Sequence, residues 1–407
     1  MTNRIPRRTP VALKALAAAL ALCCLPALGG CSFFGASPDA QMPTQQPLSL
    51  GCLTNGDEPL SLIIGAHANE PAPQLPQQIL TLVNDAAVGQ QPVSVYRLDG
   101  APSLAYSQPF KPPSNNNPQI YNQDLRKYVS SVTSYVSGLT PKTAQSDPLT
   151  ALSTAARQTP AGGTVVMVDS GLPTIGPLSY QNSNMFGADP DEVAGFLQTS
   201  GLLPQLTGES VVFAGLGQTL APQPALPQND QTQLAAMWQA IAVKGGAKCV
   251  YSLTAALATQ PLSATVPVAV VTPPAPISFP SCGTTVLGDA GSVGFVVGTS
   301  TFRDPTAANA TLQQLANDLL GHDQQVQLIG STSSEGDPQQ NITLSLQRAE
   351  AVKSVLVGMG VDASRITAVG DGSNGPNHIP DIDSNGALIP AAAEQNRSVT
   401  VVISCAG

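Results

Sequence analysis

A mixed α/β fold built as two successive units is what this 407-residue sequence predicts, and three observations carry it. Between residues 51 and 271, short apolar β-type runs alternate with segments of helical period, the pattern of a mostly parallel sheet covered on both faces. A proline-rich stretch, Thr272-Pro273-Pro274-Ala275-Pro276, then interrupts the chain as a stiff extended connector over 272–281. Beyond it, residues 282–407 repeat the alternation of helices and strands on a smaller scale. A mature length of about 375 residues also fits two domains at roughly 150 residues each.

In the first unit the strand candidates are Leu60–Ile64, Val93–Leu98, Thr164–Val168 and Ser210–Ala214. Tyr121, Leu125, Tyr128, Val129, Val132, Tyr135, Val136 and Leu139 recur at helical spacing, which predicts an amphipathic helix on the sheet. Asp189-Pro190-Asp191-Glu192 opens another helix, with Asp189 as cap, proline in the first turn and Glu192 completing a capping box. Leu234, Met237, Trp238 and Ile241 mark a further helix, stopped by Gly245-Gly246, and these side chains read as core.

The N-terminus carries Arg4, Arg7, Arg8 and Lys14 ahead of an Ala/Leu run that ends by Leu28, the layout of an export signal over residues 1–30. The run is too short to span a bilayer. Leu28-Gly29-Gly30-Cys31 resembles a bacterial lipobox, which implies a lipid on Cys31 and attachment to a membrane surface without crossing it. Residues 31–50, rich in Ser, Pro and Gln, read as a flexible tether. Loss of the signal leaves 13 of the 17 basic residues against 26 acidic ones, a net charge of about −13, which argues against nucleic acid as a partner. Four further cysteines, Cys52, Cys249, Cys282 and Cys405, make an even set in an exported chain and allow three disulfide pairings. Cys52 and Cys249 bracket the first unit and Cys282 and Cys405 the second, so these two pairs are expected. A zinc site competes for the thiols, but no Cys-x-x-Cys pair is present and His67, His322 and His378 are scattered.

In the second unit, Leu312, Leu315 and Leu319 line a helix that begins near Pro305, and a strand follows at Val326–Ile329. A second helix buries Leu344, Ala351, Val352 and Val355. Strands at Ile366–Val369 and Val399–Ile403 complete a β-α-β-α-β order, with a long loop from Gly372 to Ala391. The stretch between the first strand and second helix reads Gly330-Ser331-Thr332-Ser333-Ser334-Glu335-Gly336, then Asn341, then Leu344-Ser345-Leu346-Gln347-Arg348-Ala349, and Asn396-Arg397-Ser398-Val399 follows much later. These elements resemble, in order and spacing, the OmpA-like C-terminal domain of outer-membrane proteins, flagellar motor proteins and peptidoglycan-associated lipoproteins. The resemblance implies a two-layer α/β domain that holds a peptidoglycan stem peptide, with Arg348 forking onto the carboxylate of a diaminopimelate centre. Thr332, Ser333, Glu335, Asn341 and Arg397 complete the implied ligand set. Where the family has Asp, this chain has Ser333, and where it has His it has Ser331. A neutral hydroxyl forfeits about 1–2 kcal/mol of a charge-assisted bond to the ligand ammonium, with Glu335 or Asp337 available to replace the charge.

The order of elements in the first unit resembles a von Willebrand factor A domain, which implies a doubly wound fold and a protein-binding face. That family holds Mg²⁺ with an Asp-x-Ser-x-Ser loop, whereas Gly65-Ala66-His67-Ala68-Asn69 stands here, and Asp169-Ser170-Gly171 is displaced by one. No metal and no cofactor are expected. No positioned nucleophile, carboxylate pair or His-Glu-x-x-His motif is present, so the reading is non-catalytic. The expected function is an exported, lipid-anchored envelope protein that links membrane to peptidoglycan while the A-like unit, 51–271, engages an unknown envelope protein. The alternative is a protein–protein adaptor whose OmpA-like unit, 282–407, has lost wall binding.

Overall fold

Strand β1 (Leu60–Gly65) is buried along its whole length and forms the middle of a six-stranded sheet. This computed structural model describes residues 51–404 apart from 54–55, 69, 116, 255–256, 258–259, 263–265 and 267. The expected signal, tether and lipid-bearing Cys31 lie outside the described residues, as does Cys405.

The other strands are β2 (Pro92–Leu98), β3 (Ser103–Pro109), β4 (Thr164–Val168), β5 (Ser210–Ala214) and β6 (Cys249–Leu253), in the order β3-β2-β1-β4-β5-β6. All pairs are parallel except β2 with β3. Successive side chains of a strand point to opposite faces, so each buried strand feeds two cores. Ile63, Val165, Met167 and Phe213 join one; Leu62, Ile64, Val166 and Val212 join the other. Helices α3 (Pro148–Gln158), α4 (Pro190–Thr199) and α5 (Gln228–Lys244) cover the first face, and α1 (Gln77–Val88) and α2 (Pro118–Ser137) the second. Trp238 of α5 is fully buried and donates its indole N–H to Gly171 O at 2.8 Å.

The sequence reading finds the four central strands and misses β3, β6 and α1. Strand β3 is a half-exposed edge whose backbone is held by phenol groups of α2, Tyr128 to Gln108 O and Tyr135 to Ala105 O. Helix α1 follows Pro76 without any side-chain cap, so no start signal announces it. The Asp189 cap forms as expected, accepting from Asp191 N and Glu192 N. The capping box does not, because the Glu192 carboxylate turns away to an arginine of the second unit.

The second sheet runs β7 (Gly283–Gly288), β10 (Ser398–Ser404), β8 (Gln325–Ser331), β9 (Ile366–Gly372). Strand β10 is antiparallel to both neighbours, and β8 and β9 are parallel. Helices α6 (Pro305–Leu320) and α7 (Pro338–Gly358) pack on one face over Leu287, Phe295, Val326, Leu328, Val399 and Val401. The expected β-α-β-α-β order is thus incomplete: it lacks β7 and the short helix α8 (Pro390–Asn396), which replaces the end of the predicted 372–391 loop. A seven-residue, alanine-rich helix without a side-chain cap leaves little periodic trace.

Both sheets belong to one compact body, Pro47–Gly407. Helix α8 packs against α4 and the 3₁₀ turn Ser183–Phe186, and Asn184 donates to Gln395 Oε1 at 2.9 Å. A disulfide joins Cys52 to Cys249, as expected. Cys282 is also disulfide-bonded, while its expected partner falls outside the described residues. Among the described residues no helix is long and apolar enough to cross a membrane.

Candidate ligand site

The segment that follows β8 is held open as a rigid loop by backbone and amide contacts. Strand β8 continues through Gly330 and Ser331, so the turn begins only at Thr332, whose N–H donates to Gly372 O at 3.0 Å. Asn341, in the first turns of α7, donates its amide to Ser333 O and Glu335 O and so closes the loop from below. Ser334 N–H donates to Asp381 Oδ2 at 2.8 Å. Asn396 fixes the facing loop by pairing both ways with the Ile379 backbone and donating to Asp381 Oδ2. The structure therefore brings Thr332, Ser333, Asn341, Arg397 and Arg348 to one end of the second sheet, with Glu335 contributing its backbone carbonyl.

Arg348 projects from α7 and is 1% exposed. Its Nε donates to Thr299 O at 2.9 Å, and its guanidinium lies 5.2 Å from the centroid of Phe295, within cation–π range. The influential acid is Asp289, just beyond the end of β7, whose charge partly offsets the burial that lowers the arginine's pKa. Asp289 is itself buried, with Arg303 3.7 Å away, and burial holds its carboxyl above the ordinary range against the pull of Arg348 and Arg303. Glu394, 1% exposed, accepts from Ala290 N–H and is pushed up to about 8, chiefly by burial.

Arg397 sits beside Ser333, with Nη2 3.5 Å from Ser333 Oγ. The same nitrogen donates to Glu192 Oε1 of α4 at 2.5 Å, so a carboxylate of the first unit reaches a candidate residue of the second. Burial raises the Glu192 pKa while Arg397 pulls it back. Around these contacts several buried atoms have no hydrogen-bond partner: Nη1 of Arg348, Nη1 of Arg397 and Oγ1 of Thr332, together with one oxygen each of Glu192, Asp289 and Glu394. A buried guanidinium N–H without an acceptor is costly, so each of the two arginine donors calls for an acceptor.

Sequence reasoning missed Glu192, Asp289 and Glu394. In the sequence Glu192 has the place of a local capping-box residue, and no local pattern connects it with a residue 205 positions later. Asp381 and His378 lay within the predicted loop, where His378 Nε2 is 3.2 Å from Ser334 Oγ and 3.1 Å from Asn396 Nδ2.

Residues 294–385 match the OmpA family. Over 79 residues, 19% of this chain and 33% of the relative, the chain is 43% identical to the probable lipoprotein YiaD of Escherichia coli strain K12. Over 78 residues, 19% of this chain and 9% of the relative, it is 37% identical to the photosystem I P700 chlorophyll a apoprotein A2 of Gloeobacter violaceus. The chain spans no more than a third of the length of these curated relatives. Among solved structures, the peptidoglycan-associated lipoprotein from Burkholderia pseudomallei aligns at 27% identity and a TM-score of 0.24, over 29% of this chain and 89% of that one.

Proposed function

We propose that this protein is a bacterial cell-envelope lipoprotein that binds peptidoglycan non-covalently through its OmpA-like unit, 282–407, and links membrane to wall. The observation that carries the reading is the pair of buried arginines, Arg348 and Arg397, each with an Nη1 donor lacking an acceptor, with Arg397 beside Ser333. A stem-peptide carboxylate entering there satisfies those donors with charge-assisted bonds. The match of residues 294–385 to the OmpA family and the likeness to a probable lipoprotein support this reading. The lipid on Cys31 and the von Willebrand factor A-like character of residues 51–271, as a non-catalytic face for an envelope protein, belong to the same proposal; the doubly wound strand order supports the latter.

Glu192 gives the site a gate. Its carboxylate occupies Arg397, so a wall peptide binds by displacing it, and the first unit thereby tunes the affinity of the second. Co-sedimentation of residues 51–407 with purified peptidoglycan tests this. Arg348→Ala and Arg397→Ala should each weaken binding about tenfold or more, the loss of one charged hydrogen-bond partner. Glu192→Gln should strengthen binding, and so should Ser333→Asp. Retention of parent-level binding by both arginine variants removes the mechanism. The second reading, an adaptor without wall affinity, is favoured by the missing family acid at Ser333 and by the internal carboxylate on Arg397. It predicts no sedimentation for any of these proteins, Glu192→Gln included.

A further inference from the structure

The loops that leave β1 and β4 lie where strand order reverses, from β1-β2-β3 on one side to β4-β5-β6 on the other. In an open α/β sheet this is the point where a ligand crevice forms at the carboxyl ends of the strands. Three side chains converge there: His67 and Glu70 after β1, and Asp169 after β4. All three are buried, and one ligand atom from each lies within 4.8 Å of the others. His67 Nε2 is 3.7 Å from Asp169 Oδ2. Gly65 makes the room, since a Cβ at that position would overlap Asp169 Oδ2 and crowd Glu70 Oε2.

The remaining polar atoms are held as ligands need them. Asp169 Oδ1 accepts from Gly171 N–H at 2.6 Å, and Glu70 Oε1 accepts from Ser170 Oγ–H at 2.5 Å. These contacts orient the carboxylates as outer-shell partners orient metal ligands. Asp169 Oδ2 and both ring nitrogens of His67 have no hydrogen-bond partner, although they are fully enclosed. A proton shared between Glu70 and Asp169 relieves the two acids but leaves the imidazole stranded. A cation relieves both acids and one imidazole nitrogen at once. A cavity of about 10 Å³ beside Glu70, lined also by Ser146, Ser170 and Thr174, has room for one water.

We infer that His67, Glu70 and Asp169 bind a divalent transition-metal ion, Zn²⁺ or Mn²⁺, through one imidazole nitrogen and one oxygen of each carboxylate. Two carboxylates cancel the ion's charge, and the imidazole shifts preference from Mg²⁺ and Ca²⁺ toward borderline cations. The ion pins the loop after β1 to the loop after β4. The sequence reading expects no metal because it seeks a carboxylate within residues 65–69; Glu70 supplies it one position later.

The test uses untagged protein stripped with a chelator and then equilibrated with Zn²⁺, Mn²⁺ or Mg²⁺. Metal content by mass spectrometry should show about one equivalent of Zn²⁺ or Mn²⁺ per chain, with a rise in Tm that Mg²⁺ does not produce. Glu70→Gln and Asp169→Asn should each lower affinity at least about tenfold. Because either variant risks misfolding, the parent itself gives a second readout. With only three histidines in the chain, ¹⁵N-histidine labelling should show one imidazole shifting on Zn²⁺ addition, and the shift should persist in His322→Gln and His378→Gln. Absence of any shift, its loss in either of those two variants, or less than about a tenth of an equivalent of both transition metals overturns the inference.

Discussion

At the scale of single residues, Glu394 ties the site to pH. Burial lifts its carboxyl from an ordinary 4.5 to about 8, and Glu209 is lifted in the same way to about 7. A folded-state pKa above the unfolded one means that the folded protein binds the proton more tightly. The associated stability is complete below the unfolded value and is lost as pH rises through the folded one. The expected outcome is a Tm that declines between about pH 5 and pH 8.5, with Glu394 accounting for up to about 4 kcal/mol of the loss. Glu394→Gln keeps an oxygen for Ala290 N–H and carries no charge, so it should flatten that decline and exceed the parent in stability at the alkaline end; thermal melts across the pH range decide it. The identities of Arg348 and Arg397 as candidate residues were legible from their motif spacing. Their surroundings were not, because Thr299, Phe295 and Asp289 reach Arg348 from a separate segment of the chain.

At the scale of elements, the contact between β8 and α7 shows how closely the Thr332–Ser333 loop is set. A Cβ at Gly330 would overlap the carbonyl oxygen of Ser345, so the strand and helix meet only because this residue has no side chain. Gly330→Ala should cost about 2–3 kcal/mol as overpacking, read as a lower urea midpoint, and should displace the Thr332–Ser333 loop. Elements with strong local signals were legible in the sequence: β1, β4 and β5 are apolar on both faces, and α4 begins with an Asp cap followed by proline. Those without such signals were not. Strands β3 and β7 are half-exposed edges, and α1 and α8 have no side-chain cap. Edge strands owe their place to a neighbour's backbone, which a local pattern does not display.

At the scale of the whole molecule, the Cys52–Cys249 disulfide closes a loop of 197 residues around nearly all of the first unit. It fastens the segment before β1 to the first residue of β6, the outer strand. Cys52→Ser should lower unfolding stability by about 2–5 kcal/mol, and a reductant should lower the parent's Tm in the same direction while leaving the variant's change smaller. Among the described residues, side-chain hydrogen bonds between the two units include Asn184–Gln395, Asn229–Asp304 and Glu192–Arg397, the last the most enclosed, with side chains 12% and 3% exposed. Removing one partner of such a pair strands the other, whereas Glu192→Gln retains a hydrogen-bond acceptor.

Local sequence set the alternation of strands and helices, the cap that starts α4 and the bracketing cysteines, and the resemblance in motif order marked Arg348 and Arg397. Each of these is written in residues near one another along the chain or in a recurring order. That Arg348 is enclosed, that Glu192 reaches Arg397, and that His67, Glu70 and Asp169 share one buried point emerges only from the packed fold. Burial and partnership between distant segments depend on how the sheets and helices close over one another, and no local pattern encodes which carboxylate will arrive at a given cation.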